Sequence, residues 1–138
     1  MKRAIFLVII FLSFQGFSQV ESGVYITNEV YDFVFLDGEQ VGPPNHNYGD
    51  TYIHVSENGF RIYKKEGDTG ESYPLVYMGM DNFGYQIYAV PFGNRLEFKD
   101  NFMVLFYQFN NNSGWYERSS EYHNLKYLRK EPILIYEE

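Results

Sequence analysis

The stretch RLEFKD, residues 95–100, sets Leu96 and Phe98 against Arg95, Glu97 and Lys99 with a period of two. That alternation predicts a strand with one face in a core and the other in water. FMVLFYQF, residues 102–109, keeps the same period but is apolar on both faces. Phe102, Val104 and Phe106 lie on one, and Met103, Leu105, Tyr107 and Phe109 on the other. A central strand covered from both sides reads this way, so core is the expectation for residues 102–106. GYQIYAV, RLEFKD and FMVLFYQF together predict a meander that turns at Gly93-Asn94 and Asp100-Asn101. TYIHVSE and FRIYKK flank Asn58-Gly59 and predict a hairpin, because both central residues of a type I′ turn need positive φ. Further turn signals stand at Asp37-Gly38, in EGDTGE (66–71) and in NNNSG (110–114). Val, Ile, Tyr and Phe dominate between them, as suits a pleated surface.

SSEYHNLKYLRKEP, residues 119–132, departs from this period. Tyr122, Leu125 and Leu128 recur every three residues, and Lys126, Arg129 and Lys130 gather at the end. Ser119 or Ser120 is a capping residue and Pro132 a stop, so a short helix is expected over 120–131. ILIYEE then reads as a closing strand. Many strands, one late helix and one closing strand form an order that resembles lipocalin-like barrels. The resemblance is one of architecture: Gly23-Val24-Tyr25 stands where lipocalins carry glycine-x-tryptophan. The expected fold is mainly β: a single-domain antiparallel sandwich or lipocalin-like barrel with one short C-terminal helix, spanning residues 19–138.

The first residues carry a different pattern. Lys2 and Arg3 precede an unbroken apolar run over 4–12, which softens through Ser13, Gln15 and Gly16. This is the layout of a secretory signal peptide, and the run is shorter than the roughly 20 residues of a membrane-spanning helix. Gly16-Phe17-Ser18 satisfies the small-residue rule for cleavage, which makes 1–18 the signal and Gln19 the new N-terminus; a cut after Gln19 is the alternative. The run holds no cysteine to carry a lipid anchor. The expected location is periplasmic or secreted.

Charge and composition narrow the function. The chain has a formal net charge of −7, and loss of Lys2 and Arg3 takes the mature form to −9. That field opposes nucleic acid and anionic membrane surfaces, and no stable membrane insertion is expected after cleavage. With no cysteine there is no disulfide, thiolate zinc site, iron–sulfur cluster or cysteine nucleophile. An exported chain without disulfides is held by packing, and 13 Phe and 14 Tyr supply the apolar area.

Candidate chemistry is sparse. His46, His54 and His123 show no close metal-ligand spacing, and His54 shares the polar face of its strand with Tyr52 and Ser56. PPNHNYGD gathers His46 and Asp50 in one segment, which reads as a long connection. Asp81-Asn82 and Asp37-x-Glu39 lack the spacing of a calcium loop, and no nucleophile elbow or phosphate-binding glycine loop is present. No cofactor or metal is assigned. Trp115 and Tyr116 follow the polar loop NNNSG and end the most aromatic part of the chain. Rings at a loop edge offer a rigid face and a polar tip, so Trp115, Tyr116 and Tyr107 are the candidate ligand-binding residues. The competing reading makes Trp115 a cap over the end of the core. The expected function is a non-catalytic exported module binding a small apolar or carbohydrate ligand. The alternative is an interaction module, an inhibitor or envelope component, that offers a sheet face to a protein partner.

Overall fold

The computed structural model describes residues 20–57, 59–65, 67 and 72–133. The expected signal segment and most of the closing strand, residues 134–138, lie outside the described residues.

The described chain is built from two antiparallel sheets. The smaller runs β13 (Lys126–Arg129), β1 (Gly23–Thr27), β5 (Thr51–Val55), β6 (Gly59–Tyr63), β7 (Ser72–Pro74). The larger runs β3 (Glu39–Gln40), β2 (Glu29–Leu36), β12 (Trp115–His123), β11 (Phe102–Asn110), β10 (Asn94–Lys99), β9 (Gln86–Val90), β8 (Val76–Met80), with β4 (Asn45–Asn47) also on β2. Among the described residues the two sheets do not join into a closed barrel, and their arrangement fits the sandwich of the two expected architectures.

The expected hairpin is β5–β6, with Val55 opposite Phe60, and Ser56 N–H donating to the Gly59 carbonyl at 2.8 Å. Asp37 and Gly38 both take positive φ, 51° and 84°, as the β2–β3 turn requires. The meander is β9–β10–β11. Leu96 and Phe98 are buried while Arg95, Glu97 and Lys99 face outward, and β11 sits mid-sheet between β10 and β12. Its inward Met103 is fully buried and outward Val104 is largely buried, while Phe102 and Phe106 stay half-buried.

The expected helix over 120–131 is overturned. Residues through His123 continue β12, paired on both flanks with β11 and β2, and Lys126–Arg129 is a strand of the other sheet. Between them Asn124 takes φ 51°, and Leu125 N–H donates to the Asn101 carbonyl at 2.8 Å. Tyr122 and Leu125 are both buried, but from two strands joined by a turn that changes sheets. The three-residue spacing comes from that crossing. The two flanking ladders outweigh a helical preference that is worth only tenths of a kcal/mol per residue.

One core joins the layers. Tyr25, Ile53, Val55 and Phe60 from the small sheet pack with Val30, Tyr88, Leu96, Phe98, Met103 and Tyr122 from the large one. The Tyr25 and Phe98 rings meet across the layers at 5.7 Å. Burial raises the Tyr25 hydroxyl to a pKa of about 12, helped by the charge of Glu21, and it donates to the Glu21 carbonyl at 2.6 Å.

Candidate ligand-binding cleft

At one end the layers part. Phe60 and Ile62 of β6 and Tyr73 of β7 face Val90, Asn94, Leu105 and Tyr107 of β9, β10 and β11 across a cleft of about 360 Å³. The volume is near the lower end of the roughly 300–1,000 Å³ range of small-molecule sites. Four of the seven lining residues, Phe60, Ile62, Val90 and Leu105, are wholly apolar; Asn94 brings an amide, and Tyr73 and Tyr107 each bring a phenol. Asn94 Oδ1 is buried with no hydrogen-bond partner among the described residues. The Tyr107 hydroxyl lies 3.3 Å from Ser120 Oγ, and Ser120 donates to Asp32 Oδ1 at 2.6 Å. Asn47 Nδ2 donates to the other oxygen of the same carboxylate. A polar chain therefore runs from the cleft wall along the inner face to the edge at β4.

The connection beside the cleft is strained. Pro91–Gly93 forms a single helical turn in which Phe92 takes φ 64° with its ring 94% exposed. A bulky side chain seldom adopts that conformation.

The three residues singled out from sequence do not share one surface. Tyr107 lines the cleft. Tyr116 leans on Phe106 and Phe109, with centroids at 5.5 and 5.1 Å, and donates to the Gly93 carbonyl at 3.1 Å. Burial raises its phenol pKa, partly offset by Arg95. It thus braces the turn that borders the cleft. Trp115 is 54% exposed and lies over Gly38, where an added Cβ would meet the indole at 3.0 Å. It stands on the β2–β3 turn, outside the lining of the cleft.

Each histidine contacts a neighbouring side chain. His54 Nδ1 sits 3.0 Å from Arg61 Nη2, and burial together with that cation lowers its pKa. His46 stacks on Tyr31 at 4.6 Å, in β4 where a connection was expected. His123 Nε2 lies 3.0 Å from Glu121 Oε1. Glu97, 3.0 Å from Arg95, has its pKa raised by burial, partly offset by that arginine. No group of three or more potential metal ligands occurs among the described residues.

Val90, Asn94, Phe60, Ile62 and Tyr73 carried no functional signal in the sequence. Each reads as an ordinary strand or turn residue, and the cleft arises only from which strands the sheets set opposite one another. The Pro-Phe-Gly turn was the available hint, because a ring between a proline and a glycine marks a constrained connection. Comparisons with protein-family models, with curated proteins and with solved structures find no match to this chain.

Proposed function

We propose that the protein is an exported, non-catalytic β domain that holds a small apolar ligand in the cleft between the layers. The observation that carries this reading is the cleft itself: a gap of about 360 Å³ walled by aromatic and aliphatic side chains, with one amide and two phenols among them. Apolar walls with a few placed polar groups favour recognition of a small, mainly hydrophobic molecule over chemistry on it. Tyr107, of the three residues drawn from sequence, is the one that would touch the ligand. Tyr116 would support the rim. Titration calorimetry with 1-decanol tests the reading: saturable one-to-one binding is expected, and Leu105→Trp, which fills the cleft, should abolish it. Undiminished binding by that variant would sink the proposal.

Export rests on Lys2, Arg3 and the apolar run behind them. Intact mass of protein recovered outside the cytoplasm should correspond to a chain beginning at Gln19, and retention of residues 1–18 would refute it.

A second reading, a protein-interaction module, is favoured by the edge strand β8. Val76, Met78 and Met80 are all exposed there, as is Phe83 beyond it, and an uncharged apolar edge is a template for pairing with another chain.

A further inference from the structure

The cleft has a continuation that its apolar walls do not suggest. Residues opposite one another on adjacent antiparallel strands share a face. Val90 pairs with Asn94, Tyr107 with Arg118, and Arg118 with Val34. The pairing of Arg95 with Phe106 sets Asn94 level with Tyr107. One row therefore crosses the inner face of the large sheet in the order Val90, Asn94, Tyr107, Arg118, Val34. The first three line the cleft. The fourth is an exposed guanidinium just past its mouth, and Val34 beyond it is exposed too.

Arg118 makes no hydrogen bond or ion pair among the described residues, whereas the acids around it are engaged. The Asp32 carboxylate accepts from Ser120 and Asn47, and Glu117 Oε1 accepts from Asn110 at 2.8 Å. In a chain whose mature charge is −9, a guanidinium left without a partner beside an apolar cleft is complementary to an anion. We infer that the ligand is a single-chain amphiphile with an anionic head: its apolar tail lies between Phe60, Ile62 and Leu105, and its head meets Arg118 at the rim, within reach of the Tyr107 hydroxyl.

This inference rests on the cleft reading, and its test separates the two. Decanoate and 1-decanol share a tail and differ in the head. Both are titrated at pH 8, below the micelle concentration of decanoate, into the mature protein, into Arg118→Gln and into Arg118→Lys. Decanoate should bind the native protein at least tenfold more tightly than decanol, about 1.4 kcal/mol. The preference should vanish in Arg118→Gln, persist in part in Arg118→Lys, and shrink as salt is raised. Because Arg118 is exposed, both variants should melt with the native protein. Equal binding of the two probes by the native protein overturns the anionic head and leaves the cleft reading standing. A preference that survives Arg118→Gln overturns the role of this residue. Failure of both probes to bind overturns the cleft reading and the inference with it.

Discussion

Strands β10 and β11 meet two different fates along their length. At one end Leu96, Phe98 and Met103 are fully buried, with the ring of Tyr25 from the small sheet against Phe98. Two residues beyond Met103 on the same strand, Leu105 is only half-buried and borders an open cleft. Along β11 the inner face stays apolar from Met103 to Leu105, while Asn94, Ser120 and Asp32 bring polar groups beside the open end. The cover changes as well. Over the sealed end lie β1 and β5, each of five residues with close-packed inward side chains; over the open end lie β6 and the three-residue β7. A sheet lined with apolar side chains becomes core or cleft wall according to how far the opposing layer reaches.

The sharpest way to break that comparison is to truncate one residue at each end. Phe98, 1% exposed, should cost about 3–5 kcal/mol on replacement by Ala, while Leu105→Ala should cost less than about half of that. Urea unfolding of the two variants measures the difference. Equal losses would mean that the layers close over Leu105 in solution and that no cleft persists.

The sealed end can be probed next where the chain passes from one sheet to the other. Leu125 is buried at the turn that follows Asn124, so Leu125→Ala should destabilise by about 2–4 kcal/mol. A loss below about 1 kcal/mol would show that this crossing is not part of the packed end.

Alkaline titration sharpens the same contrast more gently. The Tyr25 hydroxyl is raised from 10 to about 12, and Tyr88 and Tyr122 are raised too, in each case chiefly by burial. A phenol with a raised folded-state pKa stabilises the fold in full below its unfolded value and loses that contribution as pH climbs through the folded one. The melting temperature should therefore hold below pH 10 and fall between about pH 10 and 12. A flat profile across that window would place these phenols in water.

How much of this was legible beforehand differs between strands and site. Period-two patterns and Asn-Gly or Asp-Gly turns act between neighbours in sequence, so β5, β6, β9, β10 and β11 could be read directly. The segment around Asn124 could not, because a strand that crosses between sheets places buried residues at a spacing that mimics a helix. The cleft was less legible still. Tyr107 was singled out as a ring in an aromatic run, yet its neighbours there, Phe60 and Tyr73, come from far along the chain. Arg118 carries no signal in the sequence, since only the register of β11 against β12 brings it beside Tyr107.

The smallest expected effect belongs to Trp115, the sole tryptophan and the residue on which the two sequence readings disagreed. As a cap over the core it would be dry; in the structure it is more than half exposed and rests on the backbone of Gly38. A ring with one face in water contributes less than the ~3–5 kcal/mol of a core aromatic, so Trp115→Ala should cost about 1 kcal/mol. The emission of the native protein should lie at long wavelength and be quenched readily by iodide or acrylamide. Gly38→Ala sharpens the point, because its Cβ would push against the indole at a backbone φ of 84° that Ala adopts only with strain. That variant should lose stability at the β2–β3 turn and expose Trp115 further, shifting its emission to the red. A native spectrum that is blue and resists quenching would return Trp115 to the sealed region and erase the contrast between the two ends at its far edge.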